Sequence, residues 1–282
     1  MTTSVTPKPL LAGVIGNPIH QSKSPMLHNY WLKKNNIEGY YIPIEVEPKN
    51  LKSSISSLVD LGFRGINVTV PHKTAVLTVA NFVSDRASVI GAANTLYFSN
   101  DGQITADNTD GYGFIENLYK SHPAWNPKSG PALIYGAGGA SRAICYALLA
   151  EGVPKVRISN RTKVKAETIA ENLGARIEVI DWYSSEEVLN ESLTIVNCTS
   201  LGMIGQPKFA PNFSRVPKSA LVTDLVYNPL QTAFLKAAID CELTTVDGLG
   251  MLIYQAAPGF TRWFEKEPLI DKAIRQKLLD VP

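Results

Sequence analysis

Apolar positions recur along this chain in two rhythms, and the change between them divides it. Leu10 to Ile15 is apolar almost without interruption, as a strand buried on both faces would be, and stops at Gly16-Asn17-Pro18. Ser24-Pro25 predicts a helix start, with Ser24 as N-cap and the proline in the first turn, running toward Asn36. Tyr40 to Val46 predicts a second strand, and Pro48 opens a second helix whose apolar stripe is Leu51, Ile55, Leu58 and Leu61. Gly65 to Val70 predicts a third strand ended by Pro71. Residues 94–99 and 103–107 read as a hairpin around Asn100-Asp101-Gly102. Strand–helix alternation followed by a hairpin predicts an α/β sheet with a mixed edge.

Ser121 to Pro131 has the breaker composition of a connector. Beyond it the rhythm is regular: strand 132–135, helix 140–151, strand 156–159, helix 163–173, then strands near 176–180, 194–197, 221–224 and 244–246. Short strands separated by helical stretches predict a Rossmann-type doubly wound parallel sheet. Two apolar-striped stretches, 250–264 and 269–279, predict closing helices. A length of 282 residues fits two domains better than one.

The strand ending at Tyr135 runs into Gly136-Ala137-Gly138-Gly139-Ala140-Ser141, and a helix follows. Glycines there permit a tight turn and let backbone N–H groups approach a pyrophosphate at the helix N-terminus. Ser141 stands where the strict fingerprint has a third glycine or alanine. An NAD-binding unit commonly ends its next strand in Asp or Glu, which accepts from the ribose hydroxyls. This chain instead carries Asn160-Arg161-Thr162-Lys163, with Lys165 beyond. A carboxylate there repels a 2′-phosphate, whereas a guanidinium binds one with paired charge-assisted hydrogen bonds. NADP is the expected cofactor.

Charge narrows the field. Lys plus Arg number 27 against 25 Asp plus Glu, a net of +2, and no basic run stands out, so a nucleic-acid partner is not expected. Cys145, Cys198 and Cys241 are far apart and odd in number, which fits neither a disulfide framework nor zinc pairs. The four histidines, His20, His28, His72 and His122, have no ligand spacing, so no metal is expected. Met1 to Pro9 shows no signal-peptide pattern, and no run has the length of a membrane span. The expectation is a reduced cytoplasmic protein, with no membrane partner.

Polar clusters punctuate the first half: Ser22-Lys23-Ser24-Pro25, Asn67 to Lys73, Gly91 to Thr95 and Asp107 to Gly111. Asn67 and Thr69 would share a strand face, with Lys73 just past its end. Each cluster alone reads as caps and turns. Their order, NPIHQSKSP, NVTVPHK, GAANT, DNTDG, GAGGASR, NRT, NCTSLGM, DLVYNP and DGLGMLIYQAA, resembles the shikimate dehydrogenase family over nearly the whole chain. That family includes quinate/shikimate dehydrogenases.

The resemblance implies a substrate-binding domain, residues 1–110 plus 250–282, and an NADP domain, 111–249, with the active site in the cleft. It implies Lys73 and Asp110 as the catalytic pair, and Ser22, Ser24, Thr69, Asn94, Tyr227 and Gln255 as contacts to a ring carboxylate and hydroxyls. The cofactor contacts would be Gly136, Ala137, Gly138, Gly139, Ala140, Asn160, Arg161, Thr162, Lys165, Thr199, Ser200, Gly250 and Met251. Cys198 would border the nicotinamide without acting as a nucleophile. The reaction implied is reversible, NADP-dependent reduction of 3-dehydroshikimate to shikimate on the route to chorismate and aromatic amino acids. A dual-specificity quinate/shikimate dehydrogenase and a non-catalytic sensor of dinucleotide and ring acid are the alternatives; a homodimer is compatible with the sequence on any of these readings. Chemically, a lysine can take or give the alcohol proton, burial favouring its neutral form and a carboxylate its charged one, so which group is the acid/base stays open.

Overall fold

The computed structural model describes residues 8–280; the signal-peptide expectation for Met1 to Pro9 therefore falls mostly outside them. In chain order the first elements are β1 (Leu10–Gly16), α1 (Ser24–Lys34), β2 (Gly39–Glu45), α2 (Leu51–Asp60), β3 (Phe63–Val68), β4 (Phe82–Val83), α3 (Asp85–Ile90), β5 (Thr95–Phe98) and β6 (Ile104–Asp107). They are followed by α4 (Asp110–Ser121), β7 (Ala132–Tyr135), α5 (Gly139–Ala150), β8 (Val156–Ser159), α6 (Lys163–Leu173), β9 (Ile177–Ile180), β10 (Thr194–Asn197), β11 (Leu221–Asp224), α7 (Ala233–Asp240), β12 (Thr244–Val246), α8 (Leu249–Phe264) and α9 (Lys272–Leu279).

The described chain divides into two units, one of residues 8–87, 93–107 and 256–280, the other of 88–92 and 108–255. The sequence expectation drew its borders after residues 110 and 249; contacts group 88–92, 108–110 and 250–255 with the second unit.

The first unit holds a mixed sheet in the order β2-β1-β3-β5-β6-β4. β1 pairs in parallel with β2 and β3, while β5 runs antiparallel to both β3 and β6. The chain steps from β1 to β2 on one side and then returns to β3 on the other. Right-handed crossovers in opposite directions put α1 and α2 on opposite faces of the sheet. On α2, Leu51, Ile55 and Leu58 are buried as the stripe requires, but Leu61 follows the helix and is exposed. α1 buries Leu27, Trp31 and Leu32, and its Trp31 indole donates to the Leu269 carbonyl ahead of α9. Lys23 occupies the N-cap of α1 with no side-chain cap bond, so Ser24 is already inside the helix. The Ser22 hydroxyl, 3.3 Å away, accepts from the Ser24 N–H and does part of the capping expected of Ser24. β3 ends at Val68, which leaves Thr69 in the turn beyond the strand.

The second unit is an all-parallel sheet, β12-β11-β10-β7-β8-β9. Strand alternation sorts β7 between two cores. Ala132 and Ile134 face one core with Ile144, Leu148 and Ile158, while Leu133 and Tyr135 face the other with Phe213 and Phe234. From β7 the chain winds outward through β8 and β9, then returns to β10 on the opposite side. The sheet therefore has a switch point between β7 and β10, where open α/β sheets bind ligands at the strand C-termini.

Candidate active site

Both sheets reverse their winding, and several of the candidate residues lie on the loops that leave the strands there. In the first unit the switch lies between β1 and β3. The Thr69 N–H donates to the Ile15 carbonyl and the Asn17 N–H to that of Val70, so the loops leaving the two strands are tied together. Gly16 is required there, because a Cβ would lie 2.6 Å from Thr69 Cγ2. Past Thr69, the cis Val70–Pro71 bond leads to His72 and Lys73. His72 is buried, and its Nε2 lies 2.7 Å from the Val46 carbonyl, which accepts from it. The Lys73 carbonyl accepts from the Ala93 N–H at 2.7 Å, and the Asn94 carbonyl from the Val68 N–H at 2.7 Å. Thr69, Lys73 and Asn94 are thus held on one backbone framework. Ser22 is half-buried and Ser24 buried at the start of α1.

In the second unit Asp110 is buried at the first position of α4, its N–H bonded to Asn108 Oδ1 at 3.0 Å. The neighbouring Thr109 hydroxyl donates to the Gln255 carbonyl at 2.8 Å. Lys73 belongs to the first unit and Asp110 to the second. Tyr227 is half-buried just after β11.

At the β7–β10 switch, Gly136 has φ +107°, and a Cβ there would meet the Cys198 carbonyl at 3.1 Å. Only glycine allows both the turn and the approach of these two loops. Ser141 is fully buried, and its hydroxyl accepts from the Gly138 N–H at 3.2 Å. The residue that departs from the fingerprint therefore reaches back to the helix start, as the third residue of a capping box does. The position of a Gly138 Cβ meets nothing within 4 Å, so the turn is open above it. After β8, the Asn160 side chain donates to the Thr162 carbonyl, and Arg161, Thr162, Lys163 and Lys165 are exposed. No acidic residue stands in the first turn of α6. This donor set, an open glycine turn with a cationic strand end, fits a phosphorylated dinucleotide.

Two residues that organise this face were not singled out from sequence. Asn197 ends β10 and Asp224 ends β11, both fully buried. Asn197 donates to Asp224 Oδ1 at 2.9 Å and accepts from the Thr199 N–H and hydroxyl. Asp224 also accepts from the Val226 N–H and the Thr232 hydroxyl. Burial lifts the Asp224 carboxyl to about 6 against these donors. The signal available in sequence was a polar residue closing each apolar strand. Burial also pushes the Cys198 thiol well above its ordinary range, which keeps it protonated and unsuited to nucleophilic attack. A Cβ on Gly250 would clash with the Asn117 side chain, whose amide donates to the Asp247 carbonyl, so Gly250 has a packing reason to be glycine.

Fold and site together define a two-unit α/β protein with a dinucleotide-type turn in one unit and a polar, lysine-bearing loop cluster in the other. Family models match along the chain: "Shikimate dehydrogenase substrate binding domain" over residues 14–96, "Shikimate / quinate 5-dehydrogenase" over 121–226 and "Shikimate 5'-dehydrogenase C-terminal domain" over 248–279. A relative from Ruegeria sp. (strain TM1040), named shikimate dehydrogenase (NADP(+)), is 49% identical over 269 residues, 95% of this chain and 98% of its own. The crystal structure of shikimate dehydrogenase from Aquifex aeolicus superposes with a TM-score of 0.86 at 35% identity, covering 98% of this chain and 99% of that one. A quinate dehydrogenase from Corynebacterium glutamicum in complex with NAD gives 0.89 at 30%, covering 97% and 99%. The chain belongs to the shikimate dehydrogenase family. Among the described residues no helix is long and apolar enough to cross a membrane.

Proposed function

We propose that this protein is a cytoplasmic enzyme of aromatic amino-acid biosynthesis that reversibly reduces 3-dehydroshikimate to shikimate with NADPH. The observation that carries the reading is the framework holding Thr69, Lys73 and Asn94 at the switch point of the first sheet. The name of the Ruegeria relative supports both substrate and cofactor. Bound NADP would accept the hydride, and NADPH would supply it. Lys73 gives or takes the proton of the reacting hydroxyl, and Asp110 orients and balances its charge. Ser22 and Ser24 hold the ring carboxylate through hydroxyl and helix-start donors. Thr69, Asn94, Tyr227 and Gln255 bind hydroxyls. Neutral donors and acceptors of this kind suit a polyhydroxylated ring acid.

The residues of the 136–140 turn, with Thr199, Ser200, Gly250 and Met251, line the dinucleotide. Arg161, aided by Asn160, Thr162 and Lys165, binds the 2′-phosphate. Turnover of shikimate with NADP by the purified chain tests the reading; no turnover with a folded protein would overturn it. The same assay with quinate and NAD addresses a second reading, dual quinate/shikimate specificity, which the likeness to the Corynebacterium quinate dehydrogenase favours.

A further inference from the structure

A chain of buried polar groups runs beneath Asn94 within the first unit. Tyr41, on β2, is 1% exposed, and its hydroxyl lies 2.6 Å from Asn67 Oδ1. Asn67 Nδ2 lies 3.1 Å from the Asn94 carbonyl and 3.2 Å from Thr95 Oγ1. Thr95 Oγ1 is in turn 3.0 Å from Asn94 Oδ1. Asn67 is 5% exposed and Thr95 fully buried, so these bonds lie out of reach of bulk solvent.

The direction of every bond follows from one fixed point. A backbone carbonyl can only accept, so the Asn67 atom facing the Asn94 carbonyl is the amide nitrogen. That leaves Asn67 Oδ1 for Tyr41, whose hydroxyl must donate. It also makes Asn67 a donor to Thr95 Oγ1, which frees the Thr95 proton to go to Asn94. The Asn94 atom receiving it is then Oδ1, and Nδ2 occupies the other branch of the amide. Whatever Nδ2 meets, it meets as a donor. A flipped Asn94 would confront Thr95 with two N–H donors and take from the Thr95 proton the acceptor it has in this buried site, a costly exchange.

We infer that Thr95, itself set by Asn67 and Tyr41, positions the Asn94 amide so that Nδ2 donates to a hydroxyl oxygen of the ring substrate. The hydroxyl recognised in this way accepts from Asn94 and keeps its own proton for a second partner, which selects for an oxygen substituent able to accept at that ring position. Tyr41, Asn67 and Thr95 are positioning residues acting through Asn94. The inference rests on the reading above that Asn94 contacts the substrate.

Steady-state kinetics of the full chain with shikimate and NADP, alongside thermal melts, test it. Asn94→Ala tests the underlying contact: it should raise the KM for shikimate, and an unchanged KM would overturn that contact and the inference with it. Thr95→Val keeps shape but removes the hydroxyl. It should raise the KM for shikimate about tenfold, the scale of one hydrogen bond, with kcat within about threefold and the KM for NADP unmoved. Thr95→Ser should restore native values, and adding Thr95→Val to Asn94→Ala should cost nothing further. Asn94→Asp reads the donor role without touching Thr95. It keeps the acceptor for Thr95 but presents oxygen where Nδ2 stood, and should raise the KM at least as much as Asn94→Ala. If Asn94→Ala impairs binding while Asn94→Asp, or a folded Thr95→Val, retains the native KM, the orientation is wrong.

Discussion

Gly113 of α4 lies directly against Gln255 of α8: a Cβ on the glycine would stand 2.5 Å from both the Gln255 Cβ and its backbone nitrogen. Backbone cannot yield as a flexible side chain does, and the Thr109 hydroxyl pins the same residue through its carbonyl. Gly113→Ala should therefore destabilise the protein by about 1–3 kcal/mol, the usual cost of overpacking. Chemical denaturation measures it. If Gln255 contacts the substrate as proposed, the folded variant should also show a raised KM for shikimate; native stability in Gly113→Ala would contradict the close approach.

Cofactor choice should follow Arg161, exposed after β8. Arg161→Asp should weaken NADP binding by about 1.5–3 kcal/mol per lost charge-assisted contact while sparing NAD. Calorimetric titration of native and variant protein with both dinucleotides reads this. Equal native affinity for NADP and NAD would refute the assignment.

Acid stability should carry the mark of His28. This ring is fully buried, stacked on Tyr41 with centroids 3.9 Å apart. Burial, opposed by the Asn67 side chain, lowers it from 6.5 to about 3. With the folded value depressed, the unfolded chain binds the extra proton between those limits, so stability falls as pH drops below 6.5 and the loss levels off near 3. The contribution is about 2 kcal/mol between pH 6.5 and 5. Asp224 opposes it, because its raised carboxyl makes stability fall as pH rises from its unfolded value of about 4 to about 6. His28→Phe should flatten the acid limb of a denaturation series, and Asp224→Asn should steepen it. An unchanged acid limb in His28→Phe would show that the ring is not buried neutral.

For the chemistry, Lys73→Ala should lower turnover by roughly 10²- to 10⁴-fold, the scale of general acid–base catalysis. The KM for shikimate should change less, because an interaction used mainly in the transition state appears in turnover. Asp110→Asn keeps the shape, removes the charge and should also lower turnover. The double variant should be little worse than the worse single one, since residues acting as a unit are not additive. Near-normal turnover in Lys73→Ala would return that residue to a structural role.

The sequence by itself located most of the elements and the chemistry each loop offers, but β4, α3 and α4 went unread between the polar clusters. Apolar runs closed by glycine or proline located the main strands, and the glycine turn of Gly136 to Ser141 and the cationic end at Asn160-Arg161 were legible because their spacing is local to one strand–turn–helix unit. What it misread were ends and faces: Ser24 as a cap, Leu61 as core, Thr69 as strand. Each depends on where a helix or strand stops, and neighbouring backbone decides that. Tertiary structure alone joined Thr69 to Ile15 and Lys73 to Ala93, drew Asn197 onto Asp224, and laid Tyr41, Asn67, Thr95 and Asn94 in one chain. In sequence Tyr41 and Asn67 are 26 positions apart. Only a shared buried space, in which an amide or hydroxyl left without a partner is costly, makes one set the direction of the other.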